Sequence, residues 1–487
     1  INCTDISFRF NCPLTSCDLH NHIPISVIDE DLYAHPPSFL LGTIDKFARL
    51  AWDHRAKNIF CSKKTRAPSL IIQDELHLIS GQLGTIAGIY EAAIDIIINS
   101  KGIKPKYIAA TATIRRSDDQ VKKLYGCNVS IFPPAGLSSE DSFFSKISKD
   151  AIGRLYVGVM AQGQSPMISL INTSAALAQS LKDIPNLSET AINSWWTQVI
   201  YHNSKRELGR TLSYVDDDIP NRINAIAKTK ESRRKLINAQ ELSANIKTGM
   251  PKVLSALNIN YPDEDAIDVL PCTNMISVGV DVARLGLMLI YRQPKLTSEY
   301  IQASSRVGRN TQYAPGIVVT LYSANAPRDR SHYEGFKSFH KSLYRFVEPT
   351  SVTPFSPRAR ERALNAALVI VMRHAGGLSE NEEVQGFDSQ DKNIKELIEK
   401  LTKRMSRAEA QEENGINDDL NNLIDDWKQR IIRDGKLLRF SAAGKGFKSL
   451  LVRYGDKDAI DNDKWATLDS MRNVDTEALI KILGRGD

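Results

Sequence analysis

Ser69-Leu70-Ile71-Ile72-Gln73-Asp74-Glu75-Leu76-His77 decides the reading of this 487-residue chain. A short apolar run, of the kind that forms a buried strand, delivers two carboxylates at its C-terminal end. In open α/β sheets that end is where ligands bind. An Asp there can hold Mg²⁺ carried by a nucleotide, and the Glu beside it can orient and deprotonate a water for attack on the γ-phosphate. A solvated loop that opens a helix, its acids favouring the N-terminal dipole, accounts for the same residues equally well.

Two further segments, in order along the chain, weigh against that plainer account. Tyr107-Ile108-Ala109-Ala110-Thr111-Ala112-Thr113 puts a small, hydroxyl-rich turn after a second strand candidate. Alone it reads as a helix N-cap. Glu299-Tyr300-Ile301-Gln302-Ala303-Ser304-Ser305-Arg306-Val307-Gly308-Arg309 places Gln302, Arg306 and Arg309 at helical spacing. Two arginines three apart on one face can pair with phosphate oxygens and stabilise the charge of phosphoryl transfer. Just upstream, Cys272-Thr273-Asn274-Met275-Ile276-Ser277-Val278-Gly279-Val280-Asp281 follows a strand and ends in Gly and Asp. Such a turn can approach both phosphates and a nucleic-acid backbone.

Around these segments the chain alternates apolar runs with helical stretches, the pattern of an α/β domain with a parallel sheet. Strands are expected at 39–42, 70–73 and 107–110, then at 167–172, 199–203, 267–273, 287–291 and 317–322. Residues 38–131 form a first set and 151–325 a second. Pro133, Pro134 and Gly136 mark 132–150 as a linker. Residues 216–257 read as a helical insertion, and 326–487 as a mostly helical accessory region. In the latter, Ile394, Leu397, Ile398, Leu401, Met405 and Ala408 recur at helical spacing.

Hydrophobic residues make up 42% and charged residues 25%, which excludes a largely disordered chain. A net charge of +6 permits a polyanionic partner without requiring one. Six Cys in 487 residues are too few for a disulfide framework, so a reducing, cytoplasmic setting is expected. No uninterrupted apolar run is long enough to span a bilayer, so no membrane partner is expected.

In this order the segments resemble the motifs of superfamily two helicases of the DExH kind. Asp74-Glu75-Leu76-His77 looks like motif II and Thr111-Ala112-Thr113 like motif III. Residues 273–281 look like motif V and 302–309 like motif VI. Gly42-Thr43-Ile44-Asp45-Lys46-Phe47 resembles motif Ib, and Leu170-Ile171-Asn172-Thr173-Ser174 resembles motif IV. Three more segments, Ser331-His332-Tyr333-Glu334-Gly335-Phe336, residues 347–358 (VEPTSVTPFSPR) and Ser470-Met471-Arg472-Asn473-Val474, are similar to the helicase component of the DISARM anti-phage system, the DrmA family. The resemblance implies two RecA-like lobes with ATP between them and a helical region after them. It implies Mg²⁺ on Asp74, water activation by Glu75, and γ-phosphate contacts from Arg306 and Arg309. His77, Gly279, Asp281 and Gln302 would serve the nucleotide. Thr111 and Thr113, with His77, would couple its state to lobe movement. Thr43, Lys46, Asn172, Ser174 and Thr273 would lie along single-stranded DNA. Other defence-system subunits are implied as partners.

One departure from the family is plain. Residues 1–73 contain a single glycine, Gly42, and no G-x-x-x-x-G-K-[ST]. Gly444-Lys445-Gly446 lacks Ser or Thr after the lysine. With Ile1 in place of Met, this leads to the expectation of an incomplete first lobe, its N-terminal half missing, and of a chain inactive alone. A non-catalytic DNA-binding scaffold that recruits other subunits is the alternative. Cys3, Cys12 and Cys17, with His20 and His22 just after, have the spacing of a zinc knuckle, and three free thiols in a small folded segment are the plainer account. Lys63-Lys64-x-Arg66, Lys205-Arg206 and Arg233-Arg234-Lys235 are basic clusters, each expected on a solvated face.

Overall fold

The computed structural model describes residues 2–3, 8–60, 66–111, 117–132, 134, 143–144, 153–243, 249–277, 280–348, 350–441, 446–456 and 464–472. Two compact units divide the chain. Unit 1 is Ile1–Ser130 with Pro349–Asp487, and unit 2 is Ile131–Glu348.

Unit 2 is built on a five-stranded, all-parallel sheet. Its order is Arg154–Met160, Gly316–Tyr322, Leu287–Tyr291, Gln198–His202 and Val269–Cys272. The inner strands are apolar almost throughout because both faces are covered, as parallel sheets require. Ile200, Val269, Leu289, Val319 and Leu321 pack under the helices Pro166–Asp183 and Asp218–Ile226. Val199, Tyr201, Leu270, Met288, Ile290 and Val318 pack on the opposite side with Tyr300, Ile301 and Phe339. Each such fully buried side chain stabilises by about 1.5–3 kcal/mol relative to exposure. Pro271 sits on the last strand of the sheet, where a missing N–H costs least.

The expected strand at 167–172 is instead the start of the helix Pro166–Asp183. Pro166 occupies its first turn, and Ser165 caps it by accepting from Ile168 N at 3.3 Å. The strand ahead of that helix, Arg154–Met160, carries Arg154 and a glycine and was not expected from the pattern. The stretch 39–42 holds no strand. Within 216–257 the helices are Asp218–Ile226 and Met250–Ala256, and the described residues 233–242 between them form an extended run. There Ala239 and Leu242 bridge in parallel to Val269 and Cys272. Asp268 anchors that run by accepting from Ile237 N at 2.7 Å and Asn238 N at 3.0 Å.

Unit 1 has a smaller sheet. Leu70–Gln73 and Lys106–Ala109 pair in parallel, Leu70 opposite Lys106 and Gln73 opposite Ala109. Most of its core is helical. Gly81–Ser100 buries Ile86, Ile89, Tyr90, Ile97 and Ile98 in one cluster with Leu364, Leu368 and Val371 of Pro357–His374. By length and composition Gly81–Ser100 could cross a membrane, but 67% of its apolar window is buried inside the protein, as in a core helix. Lys392–Ala408 matches the amphipathic helix expected there: Ile394, Leu397, Leu401, Met405 and Ala408 are buried and Asp391 caps the N-terminus.

Candidate functional site

Two clusters carry the chemistry expected from the sequence, one in each unit. In unit 1 the chain leaves the strand Leu70–Gln73 through Asp74 and Glu75. Glu75 adopts φ 49° and ψ 49°, a left-handed backbone that a non-glycine residue seldom takes. Such conformations cost on the order of 1–2 kcal/mol and cluster at functional sites. Asp74 is exposed and its Oδ1 accepts from Glu75 N at 2.9 Å. Leu76 N donates to Ala110 O at 3.0 Å, which ties the turn to the end of the neighbouring strand. The nearly buried His77 completes the link: its Nδ1 lies 3.0 Å from Thr111 Oγ1 and 3.4 Å from Glu75 Oε2. Acid pair, histidine and Thr111 therefore meet at the C-terminal ends of adjacent parallel strands.

The turn has a second layer of support. Gln120 is fully buried, and its Nε2 donates to Leu76 O at 3.2 Å and Ile79 O at 2.7 Å. Thr350 Oγ1 donates in turn to Gln120 Oε1 at 2.5 Å. Gly81 N donates to Ser351 O at 3.0 Å, and Thr353 N to Thr85 Oγ1 at 3.1 Å. The segment around Thr350–Thr353 thus braces the acid turn and the helix that follows it.

In unit 2 the helix Thr297–Ser304 leads into the two arginines. Glu348 holds its start, accepting from Thr297 N at 2.8 and 2.9 Å and from Thr297 Oγ1 at 2.9 Å. Beyond its end Arg306 Nη1 donates to Val280 O at 2.9 Å. Arg309 Nη1 meets Asp281 Oδ1 at 2.8 Å on an exposed surface. Residues 280–281 and 306–309 are therefore neighbours. Arg154 secures the turn by donating to Val307 O at 2.6 Å and Ser305 O at 3.1 Å. Gly308 has φ +62°, and a Cβ there would come 2.5 Å from Gly316 Cα and N. Only glycine satisfies both conditions. Gln302 is half-buried on the same helix.

The residues expected along a nucleic-acid strand divide. Thr43 and Lys46 are exposed at the helix Ile44–Ala48, with Lys46 Nζ paired to Asp29 Oδ2 at 2.7 Å. Asn172 is half-buried. Ser174 is fully buried and its hydroxyl is bonded to Gln198 Oε1, which removes it from any surface track. Thr273 is 8% exposed and its N donates to Leu242 O at 3.2 Å. Arg234 is not a solvated base: it is buried, ion-paired with Asp268 at 3.2 Å, and its guanidinium lies 4.1 Å from the Trp196 ring centroid. Its neighbour Arg233 donates to Asn224 Oδ1 at 2.7 Å.

Cys12, Cys17 and His20 share one turn. Cys17 Sγ accepts from Leu19 N, and His20 Nδ1 lies 2.9 Å from Cys12 O. Among the described residues no group of three His, Cys, Asp or Glu side chains is arranged to hold a metal, so the zinc donor set is incomplete there. Thr113, Gly279, Cys61, Lys63, Lys64, Gly444, Lys445, Asn473, Val474, the Cys3 side chain and most of 132–150 lie outside the described residues.

Residues 199–311 match the helicase conserved C-terminal domain. The DISARM protein DrmA of Bacillus paralicheniformis is 38% identical over 95% of this chain and 45% of its own length. The Druantia protein DruE of Escherichia coli is 31% identical over 21% of this chain and 5% of its own. The chain thus spans less than half of either relative. Among solved structures, the DUF1998 helicase MrfA bound to DNA is 15% identical with a TM-score of 0.49, over 68% of this chain and 40% of that one. The helicase Lhr of Mycobacterium smegmatis bound to single-stranded DNA and AMP-PNP is 14% identical with a TM-score of 0.47, over 71% and 40%. The helicase C-terminal match is confined to residues 199–311, while the similarity to DrmA extends over 95% of the chain.

Proposed function

We propose that these residues form part of an ATP-driven DNA helicase or translocase that acts in anti-phage defence with other subunits. The observation that carries the proposal is the meeting of Asp74, Glu75, His77 and Thr111 at adjacent strand ends. In this reading Asp74 holds Mg²⁺ on the nucleotide and Glu75 orients the attacking water. Arg306 and Arg309 supply positive charge to the γ-phosphate. The Glu75–His77–Thr111 contact relays the nucleotide's state to the strand that ends at Ala109. Thr43, Lys46, Asn172 and Thr273 contribute to a nucleic-acid track that reads backbone rather than sequence.

The 487 residues hold no G-x-x-x-x-G-K-[ST] loop, so turnover requires a phosphate-binding loop that they do not carry. That same observation favours a second reading, a DNA-binding scaffold without turnover. The experiment that separates them is phage plating on the native host. With Glu75→Gln or Arg309→Ala introduced into its own gene, the enzyme reading expects protection to be lost. Unchanged protection, with the purified protein still binding DNA, supports the scaffold. Loss of protection with unchanged protein level and DNA binding supports turnover.

A further inference from the structure

We infer that residues 336–346 of unit 2 form a stacking platform for the bases of single-stranded nucleic acid, with the cavity beside them receiving one base edge. The inference rests on the nucleic-acid reading above and adds a site to it.

These eleven residues contain four aromatic rings, Lys337, Lys341 and Arg345, and no carboxylate. The helix Phe336–Lys341 and the turn Leu343–Phe346 are anchored by Phe339 and Leu343, which point into the unit 2 core. Two rings stay outside: Tyr344 is 69% exposed and Phe346 is 47% exposed. Phe346 is nonetheless held, because its ring stacks on the buried Phe339 at 5.3 Å with 29° between planes. A ring that is both exposed and fixed loses little conformational freedom when a base stacks on it. Lys337, Lys341 and Arg345 are exposed on the same helix and turn. Interleaved rings and cations are what a strand with flat bases and charged linkages requires.

The neighbouring cavity is about 350 Å³ and is lined by Thr297, Ser331, His332, Ser338, Phe346 and Glu348, among others. That is the small end of the range for ligand clefts, about 300–1,000 Å³. Its carboxylate disfavours a phosphate. Glu348 already accepts from Thr297, and a carboxylate retains lone pairs for an exocyclic amine. The cavity therefore suits the uncharged edge of a base while the linkages follow the lysines.

The test compares two strands of equal length, an oligonucleotide with bases and an abasic one, by fluorescence anisotropy on the 487-residue chain. Wild type is expected to prefer the strand with bases. Tyr344→Ala with Phe346→Ala should lower affinity for that strand about 10- to 100-fold, the loss of one or two stacked bases, and leave the abasic strand unchanged. Tyr344→Phe should retain binding, and Ser338→Trp, which fills the cavity, should reduce the preference for bases. Tyr344 is 69% exposed, so Tyr344→Ala alone should leave the melting temperature unmoved and still weaken binding to the strand with bases; Phe346→Ala also loses its stacking on Phe339 and is read beside that single variant. Strong binding that the double alanine variant leaves intact would overturn the platform and keep the nucleic-acid reading. Equal loss on both strands would show that the rings shape 336–346 and do not stack on bases, and would overturn the platform. Loss of a co-purifying protein without loss of DNA binding would make this a protein-docking face. No binding of either strand by wild type would overturn both readings.

Discussion

The acid turn of unit 1 and the arginine turn of unit 2 are held by opposite means. The arginine turn stands on a sheet whose strands Gln198–His202 and Val269–Cys272 are buried at every position. The acid turn leaves a two-stranded ladder whose Leu70, Ile72 and Ile108 are 47%, 56% and 46% exposed. Parallel strands normally have both faces covered. Unit 1 compensates with helices: Gly81–Ser100 packs on Pro357–His374, and residues 350–353 brace the turn directly. One turn thus rests on sheet burial, the other on helix packing and a few buried hydrogen bonds. Order in a short strand need not come from its sheet.

The largest expected effect probes whether both halves serve one reaction. In a protein that carries these residues and a phosphate-binding loop, Glu75→Gln and Arg309→Ala should each lower DNA-stimulated ATP hydrolysis by about 10³-fold or more. Near-normal turnover in Arg309→Ala would remove the unit 2 cluster from the site. Next in size is the helix core. Ile97→Ala should destabilise unit 1 by about 2–5 kcal/mol. Amide exchange should quicken around Leu76–Leu78 and stay unchanged in Leu287–Tyr291. Equal quickening in both would show that the two turns share one cooperative support.

A smaller effect depends on pH. Burial holds the Glu91 carboxyl up at about 7, with Arg404 opposing the shift and Asp95 adding to it. Tyr107, Tyr125 and Cys127 face the same cluster. Between the ordinary glutamate value and about 7, the unfolded chain releases this proton while the folded unit keeps it. Unit 1 therefore loses stability as pH rises through that window and no more above it. Glu91→Gln should stabilise unit 1 by on the order of 2–3 kcal/mol at pH 8 and by little at pH 4.5, read from thermal melts. Burial lowers His202 in unit 2 to about 3 and His374 in unit 1 to about 4. Both contribute losses as pH falls below the ordinary histidine range, so the Glu91 part is read from the variant and not from the raw profile. A variant that melts in parallel with wild type at both pH values would contradict this assignment. The smallest effect is at the surface. Asp281→Ala removes an exposed partner of Arg309 and should change the stability of unit 2 by less than about 1 kcal/mol. A larger loss in a urea titration would mean that the pair holds the arginine turn.

The same contrast governs what could be read from the residues. Strands at 199–203, 287–291 and 317–322 were legible because burial on both faces leaves a continuous apolar signature. Met167, Ile168, Leu170 and Ile171 gave a similar run but belong to a helix, and the deciding signal was Ser165-Pro166. The order that singles out Asp74, Glu75, His77 and Thr111 in the sequence agrees with their meeting at adjacent strand ends. Gln120, Arg154 and Glu348 were not legible. Each acts on a carbonyl or amide 44, 153 or 51 residues away, and no local pattern records such a partner. Ser174 failed for the converse reason: its segment fits a motif, while the helix face that it occupies turns it inward.

Gly308 and Gly316 carry a consequence for how this chain can change. A Cβ on the first would meet the backbone of the second at 2.5 Å, and a Cβ on the second would come 3.0 Å from Gly308 Cα and from Arg154 Cγ. A side chain on Gly308 would collide with the backbone of Gly316, and one on Gly316 would require Gly308 and Arg154 to give way by a few tenths of an ångström. The backbone of the arginine turn and the first residue of the strand Gly316–Tyr322 are thereby sterically coupled. Withdrawal of the Arg154 side chain would relieve one contact at Gly316 and leave Gly308 as fixed as before, by its own φ of +62° and by the backbone facing it.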